Sequence, residues 1–318
     1  MDQQAKKKPL IKWQKPNVGV MYALIPAILA SIYYFGLRSL LVLSVVTIAG
    51  FLTEYIFLQA YYKEPVSSAV FVSCFLLTLS LPPTIPLWIA VVGIVFGILF
   101  GKMVFGGFGR NIFNPALTGR AFIYVSFGAP MTAAWVSQIE GFPAGFGQFA
   151  SDAVTSATPM MQIQQGADVS WISMLIGNES GCMGETSALL LLLGGIYIVW
   201  KKYANYRIVL SGFIGMLIVQ TALWLAGIGK AVDPLSATLG GGWMMGVLFM
   251  ATCPVTSPST NTGRWIYGAF FGALTAVIRI FSIWAGGVMF AVLLGNMFAP
   301  ITDYYIKQAK QKKKEAQA

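Results

Sequence analysis

Long apolar runs dominate this chain and restrict its fold more strongly than any single motif. Runs close to the length of about 20 residues that an α-helix needs to cross a bilayer recur along the sequence, for example at 20–36, 39–60 and 208–226. Hydrophobic residues make up 57% of the 318 positions and charged residues only 10%. A chain with so few charged residues cannot fold into a soluble domain whose whole surface contacts water. We therefore predict an all-α polytopic membrane protein.

The apolar runs predict ten transmembrane helices, separated by turns and one long polar loop. The predicted spans are 20–36, 39–60, 66–82, 87–103, 115–136, 184–200, 207–227, 240–253, 264–281 and 285–302. The chain then divides into a basic tail (1–18), a first five-helix repeat (19–136), a loop (137–183), a second five-helix repeat (184–302) and a second basic tail (303–318).

Four motifs of the first half recur in the same order in the second half. They pair Glu64–Ser67 with Asp233–Ser236, Pro82–Pro86 with Pro254–Pro258, Gly93–Gly97 with Gly268–Gly272, and Asn111–Pro115 with Asn296–Pro300. Collinear matches of this kind indicate an internal duplication. Because each repeat has an odd number of spans, the second should be inverted relative to the first. The prolines predict either helix breaks that line a cavity or ordinary turns between spans.

Charge predicts the orientation of the chain in the membrane. Lysines crowd both ends, at positions 6, 7, 8, 12 and 15 and at positions 307, 310, 312, 313 and 314. The positive-inside rule then places both termini in the cytoplasm; that the membrane is the inner membrane of a bacterial cell is implied only by the family resemblance described below. Residues 121–200 contain no lysine or arginine, which predicts an extracytoplasmic loop at 137–183. The basic tails are expected to contact anionic lipids, and no nucleic-acid partner is expected.

The residue inventory excludes several kinds of active site. The chain has no histidine and three widely separated cysteines, so imidazole-based zinc and haem sites and a Ser-His-Asp triad are excluded. No catalytic residue and no metal site are predicted. We expect the cysteines to be packing residues, although Cys182 could still share an iron–sulfur cluster with a neighbouring subunit.

We single out four charged residues of the predicted spans, Glu54, Arg120, Glu185 and Arg279. A charge at the centre of a bilayer costs about 2.5 to 3.5 kcal/mol on insertion scales, so lipid-facing positions are not expected. Glu54 and Glu185 could lie on an ion pathway or form structural ion pairs with arginines, and the structural role is favoured.

The loop contains a short polar motif, Asp152-Ala-Val-Thr155-Ser156-Ala157-Thr158-Pro. Its Asp, Ser and Thr side chains would suit an ordinary loop or helix cap. The motif also resembles the Asp-x-x-Thr/Ser-Ser/Gly-Ala-Thr signature of membrane subunits in the Rnf/Nqr flavoprotein family. That resemblance implies FMN attached through a phosphoester bond to Thr158, with Asp152, Thr155, Ser156 and Ala157 recognised by a flavin transferase.

A second segment, at residues 109–120, carries two amides and two guanidinium groups beside a proline. It resembles the family stretch Gly-x-Asn-x-x-Asn-Pro-Ala. Arg110, Asn111 and Asn114 offer donors suited to an isoalloxazine ring or a phosphate. They are candidates for a second, non-covalent flavin such as riboflavin.

The resemblance to the NqrB/RnfD family covers the chain from about Ser67 to Pro300, and the short N-terminal segment favours the RnfD branch over the NqrB branch. It implies a urea-transporter-like arrangement of two inverted repeats. It also implies a subunit of an ion-translocating ferredoxin:NAD oxidoreductase that moves Na⁺ or H⁺. The implied partners are Rnf subunits A, B, C, E and G, which carry the iron–sulfur and further flavin centres. An inverted-repeat channel or transporter and a cofactor-free structural subunit stay open as alternatives.

Overall fold

The computed structural model describes residues 9–132, 135–139, 141–150, 157–177, 180–185, 187–282 and 286–317. The protein is an all-α polytopic membrane protein, as the sequence predicts. Its helices are α1 (Lys15–Phe35), α2 (Arg38–Tyr61), α3 (Ala69–Leu79), α4 (Leu87–Ile98), α5 (Pro115–Ser126), α6 (Gly128–Thr132), α7 (Pro159–Gln164), α8 (Trp171–Ile176), α9 (Ala188–Trp200), α10 (Tyr206–Leu225), α11 (Pro234–Leu239), α12 (Trp243–Met245), α13 (Asn261–Phe281) and α14 (Val288–Glu315). A π-helical turn, Leu99–Met103, follows α4, another, Gly246–Met250, follows α12, and a 3₁₀ turn covers Ala144–Gly147. Two short strands, β1 (Ile11–Lys12) and β2 (Val66–Ser67), pair in parallel.

Four of these helices, α1, α2, α10 and α13, are long and apolar enough to cross a membrane. The apolar helices α3, α9 and α4 with its π turn are shorter. An 11-residue helix such as α3 rises only about 16 Å, roughly half the hydrocarbon thickness. The predicted third span, 66–82, is therefore not one continuous helix, because a strand precedes α3 and a buried proline segment follows it.

Other predicted boundaries also differ from the structure. The fifth span, 115–136, is interrupted at Phe127 between α5 and α6, and the eighth, 240–253, begins with glycines in place of helix. The predicted tail at 303–318 is not separate from the last span, because α14 continues to Glu315. Its Lys, Gln and Ala residues have high helix propensity and extend the helix beyond the apolar segment.

The helix ends define two faces of the molecule. At the tail face, β1 pairs with β2, so the start of the chain lies beside the segment that follows α2. At the loop face, the connection between α1 and α2 is covered by residues 148–149. The amides of Leu37 and Arg38 donate there to the carbonyls of Gln148 and Phe149, at 3.0 and 2.7 Å.

Corresponding helices of the two halves run in opposite directions. In the first half α2 and α4 pack in parallel, Gly50 lying against Ile94, and both run from the loop face to the tail face. In the second half α10 and α13 pack in parallel, Gly212 lying against Gly272, and both run from the tail face to the loop face. A third helix packs antiparallel to one member of each pair. In the first half α5 packs against α4, and in the second half α14 packs against α13. The inverted relationship predicted from the repeated motifs is therefore present.

The repeated glycines bring helices into close contact, as their spacing predicts. A Cβ on Gly97 would lie 2.3 Å from the Pro115 carbonyl oxygen, and one on Gly272 would lie 2.2 Å from the Gly212 carbonyl oxygen. These glycines are thus packing residues.

An arginine holds the backbone at each proline pair. Arg38 donates to the carbonyls of Pro83 and Ile85, both at 3.0 Å. In the second repeat, Arg264 Nε donates to the carbonyl of Pro258, also at 3.0 Å. Side chains of the same protein therefore satisfy carbonyls that the helix breaks release.

Candidate functional site

Thr158 lies at the loop face, immediately before α7, with its side chain half-buried. It occupies the N-cap position in an extended conformation (φ −67°, ψ 155°), but its side chain does not cap the helix. In the part of the chain that the structure describes, its hydroxyl makes no hydrogen bond. The capping role that a threonine at this position would ordinarily serve therefore does not occupy the Thr158 hydroxyl.

Thr158 lines a cavity of about 240 Å³. Its wall contains Thr158 together with four charged residues, Arg120, Glu185, Lys230 and Arg279. They come from α5, the segment before α9, the segment after α10, and α13. Thr158, which the sequence singled out by its motif, and Arg120, Glu185 and Arg279, which it singled out as charges in apolar spans, thus line one cavity. Lys230 was missed, because nothing in its local sequence relates it to the motif at Thr158.

Arg120 and Glu185 form an ion pair in the cavity wall. The Nη1 and Oε1 atoms are 3.5 Å apart, and the two side chains are 12% and 13% exposed. Arg120 also donates through Nη2 to the Cys182 sulfur at 3.4 Å, whereas its buried Nε has no partner among the described residues. The expectation that Glu185 pairs with an arginine agrees with these contacts.

Arg279 fixes the broken segment that precedes α12. Its two Nη atoms donate to the carbonyls of Ala237 at 2.6 Å and Gly241 at 2.7 Å, and the second also donates to Gly240. Its Nε is buried and has no partner in the described structure. The next glycine, Gly242, has a φ of +68°, and a Cβ there would lie 2.4 Å from Glu185 Oε1. The side chains of Arg279 and Glu185 therefore contact neighbouring residues of one glycine bend.

The electrostatics of the cavity suit an anionic ligand. Three cationic side chains and one carboxylate line it in the described part of the chain. Two buried Nε–H groups without partners are unusual, because buried donors are nearly always satisfied. A phosphate oxygen is the kind of acceptor with which guanidinium donors make strong, charge-assisted hydrogen bonds. The donor set therefore fits a phosphorylated group.

The rest of the wall is largely apolar. Met131, Met160 and Met174 contribute thioether side chains, and Tyr124 and Trp135 contribute aromatic rings. Methionine adapts its shape to planar ligands and contacts aromatic rings favourably. An apolar wall with a few convergent polar groups is the usual composition of a cofactor site.

The rest of the predicted attachment motif is described only in part. Ala157 precedes Thr158, and its carbonyl accepts a hydrogen bond of 2.7 Å from Gln162 Nε2. Asp152, Thr155 and Ser156 lie outside the described residues.

The second candidate site lies at the tail face and is smaller. Asn111 and Asn114 line a cavity of about 80 Å³ between the two repeats. Asn114 caps α5 by accepting from Ala116 N and donates from Nδ2 to the Met250 carbonyl at 3.1 Å. Arg110, grouped with these asparagines in the sequence, is exposed and does not line that cavity. The structure thus brings together two of the three residues.

Glu54 is paired, but with a lysine and not with an arginine. Its Oε2 lies 2.6 Å from Lys102 Nζ, and the two side chains are 1% and 2% exposed. Oε1 accepts from the Ser67 amide at 3.2 Å. Sequence reasoning missed Lys102, although a lysine inside the apolar run 87–103 is a signal that could have found it.

The three cysteines are free thiols. Cys74 and Cys182 are buried and Cys253 is partly exposed. Among the residues that the structure describes, no group of three His, Cys, Asp or Glu side chains could hold a metal ion.

Comparison with known proteins gives matches over most of the chain. Residues 7–312 match the family model described as NQR2, RnfD, RnfE family. The NqrB protein of the Na(+)-translocating NADH-quinone reductase from Haemophilus influenzae (strain PittEE) is 38% identical over 79% of this chain and 62% of its own length. The NqrB proteins of Neisseria meningitidis serogroup B and Yersinia pestis are 37% and 36% identical, over 80% and 86% of this chain and 64% and 67% of their own lengths. The chain thus spans about two thirds of these curated relatives.

Proposed function

The chain belongs to the NQR2, RnfD, RnfE family, and we propose that it is a membrane electron-transfer subunit carrying FMN on Thr158 within an ion-translocating redox complex. One observation carries the proposal. A threonine whose hydroxyl is not engaged in the described structure lines a cavity whose guanidinium donors suit a phosphate. The motif that ends on this threonine resembles the attachment signature of the family.

In this proposal the phosphate of FMN would be esterified to Thr158, and Arg120, Arg279 and Lys230, which line the same cavity, would hold it by their positive charge. The methionines and aromatic rings of the wall would shield the attached group from water. Bound FMN supplies the redox chemistry, and the protein supplies retention, orientation and electrostatics. This role needs no general acid or base from the chain.

We propose that the tail face lies in the cytoplasm and the loop face outside, so that Thr158 is extracytoplasmic. Exposed basic residues at the tail face support this orientation, including Lys201, Lys202 and the lysines at the end of α14. Residues 137–183 would then form the extracytoplasmic segment, with α7 and α8 folded against the bundle.

The complex itself is proposed from the relatives. Those named above are NqrB proteins of a Na(+)-translocating NADH-quinone reductase, which favours Na⁺ as the transported ion and an Nqr-type assembly. The Rnf-type assembly with subunits A, B, C, E and G, expected from the sequence, stays an alternative within the same family. In either assembly, partner subunits would supply the iron–sulfur centres. Riboflavin at Asn111 and Asn114 and an ion pathway through Glu54 or Glu185 stay predictions.

Denaturing electrophoresis of the chain, produced together with a flavin transferase, tests the attachment. Covalent flavin gives a band that fluoresces under ultraviolet light, and Thr158→Ala should abolish it. Thr132→Ala is a matched control, because Thr132 lines the same cavity but its hydroxyl is bonded to the Gly128 carbonyl. A fluorescent Thr158→Ala band would reject the attachment site.

The same gel separates the alternative functions. A channel, a transporter or a cofactor-free structural subunit would give a dark band even in the presence of the transferase. Mass spectrometry of the peptide that contains Thr158 should find the mass of FMN added, less one water. An unmodified peptide from the mature protein would favour the alternatives.

A further inference from the structure

The Arg120–Glu185 pair lies in the wall of the cavity that Thr158 also lines. Arg120 uses Nη1 and Nη2 for Glu185 and Cys182 but leaves its buried Nε unpaired among the described residues. The two side chains are 12% and 13% exposed, and both line the cavity together with Thr158, so both charges border the space beside this threonine.

Glu185 lies between two arginines in this wall. It pairs with Arg120, and it also contacts Gly242, the neighbour of the glycine that Arg279 holds through its carbonyl. One carboxylate thus offsets part of the positive charge of two guanidinium groups. Its removal would raise the net positive charge of the cavity by one, whereas removal of the Arg120 charge would lower it by one.

We propose that Arg120 and Glu185 form a charge pair that sets the reduction potential of the group attached to Thr158. This inference rests on the proposed function. Reduction adds electrons to the bound group, so positive charge in the wall favours the reduced form and negative charge disfavours it. Because the pair is largely buried, water and salt screen its charges less than at a surface. Arg120 and Glu185 act here as positioning and electrostatic residues, not as catalytic residues.

The proposal predicts shifts of opposite sign for the two partners. Glu185→Gln keeps the shape and removes the negative charge, and it should move the flavin midpoint potential to a more positive value. Arg120→Gln should move it to a more negative value. The double variant Arg120→Gln/Glu185→Gln removes both charges and should lie closer to the wild-type potential than either single variant.

Reductive titration of the purified, flavin-bearing chain, followed by absorbance, measures these potentials. Arg264→Gln is the matched control, because Arg264 bonds a backbone carbonyl at the opposite face and does not line the cavity. Its potential should equal that of the wild type. Single variants that shift in the same direction, or that do not shift, would overturn the proposal, since a general loosening of the cavity has no reason to follow the sign of the charge.

The fluorescence of each variant keeps the two proposals distinguishable. A fluorescent Glu185→Gln band with an unchanged potential rejects the charge pair and leaves the attachment at Thr158 intact. A dark wild-type band rejects the attachment itself. Should Arg120→Gln reduce attachment, Glu185→Gln still carries the test, because it removes no donor that faces the cavity. Loss of attachment in both variants would overturn the proposal by assigning the pair to folding or to transferase recognition.

Discussion

Glu54 and Lys102 are 48 residues apart in the sequence, yet their charged atoms lie 2.6 Å from each other in the buried interior of the first repeat. Glu54 belongs to α2, and Lys102 lies in the π-helical turn that follows α4. Single π-helical turns within helices occur frequently at functional sites. The pair connects two parallel helices near the tail face. Because both side chains are buried, either charge without its partner would cost free energy.

Removal of one partner of this pair should destabilise the protein strongly. Lys102→Met leaves the Glu54 carboxylate buried without its cation, and breaking a buried ion pair in this way typically costs about 3–5 kcal/mol. The double variant Glu54→Gln/Lys102→Met removes both charges and should recover much of the loss. Thermal unfolding in detergent measures the effect, with Lys307→Met in the exposed part of α14 as control. A single variant as stable as this control would show that the pair contributes little.

The close helix contacts at the glycines make a second prediction about stability. Gly97→Ala would place a methyl group 2.3 Å from the Pro115 carbonyl oxygen, so α4 and α5 would have to separate. Overpacking of this kind costs about 1–3 kcal/mol. Gly128→Ala is the control, because a methyl group there would meet no atom within 4 Å. Equal melting temperatures for the two variants would contradict the packing role of Gly97.

Helices and their packing contacts could be predicted because they depend on local patterns. The apolar runs that form α1, α2, α10 and α13 and the glycine spacing on α4 follow directly from helix geometry and bilayer thickness. The inverted repeat followed from collinear motifs and an odd number of spans. The short length of α3 and the glycine bend at 240–242 were not predicted, because tertiary contacts such as those of Arg38 and Arg279 stabilise backbone that would otherwise be exposed to lipid.

The candidate site could be predicted only one residue at a time. Thr158 was found by its motif, and Arg120, Glu185 and Arg279 were found because charges in apolar spans are rare. Their meeting in one cavity depends on how α5, α9 and α13 pack at the loop face, and this has no local signal. The grouping of Arg110 with Asn111 and Asn114 shows the converse, because neighbours in sequence can face different surroundings.

The proposed orientation can be tested with cysteines placed on the two faces. In a background with Cys74, Cys182 and Cys253 replaced, Ala150→Cys at the exposed loop face should react with an impermeant thiol reagent in intact cells. Lys201→Cys, exposed at the tail face, should react only after lysis. Gly145 is unsuitable as the cysteine site on the loop face, because a side chain there would collide with the Ile32 carbonyl. The opposite labelling pattern would invert the topology.

Asp303 anchors the start of α13 to α14 at the tail face. Its Oδ2 accepts from the amide and hydroxyl of Ser259, both at 2.6 Å, and its Oδ1 accepts from the amide and hydroxyl of Thr260 at 3.0 and 2.5 Å. Thr260 in turn caps α13 through Gly263 N. Partial burial alone would raise the pKa of Asp303, but these hydrogen bonds outweigh it and hold the pKa below the ordinary value of 3.8.

Asp303→Asn should therefore lower the stability of the protein at neutral pH by about 1–2 kcal/mol, since an amide offers one acceptor oxygen where the carboxylate offers two. A carboxylate with a lowered folded-state pKa stabilises the fold above its unfolded pKa, and this contribution is lost as the pH falls through the folded-state value. The difference in melting temperature between wild type and Asp303→Asn should accordingly shrink below pH 3.8. Thr302→Ala is the control, because its hydroxyl bonds only within α14, to the Phe298 carbonyl, and should show no such pH dependence. A difference between wild type and Asp303→Asn that persists unchanged at low pH would assign the loss to packing and not to the charged carboxylate.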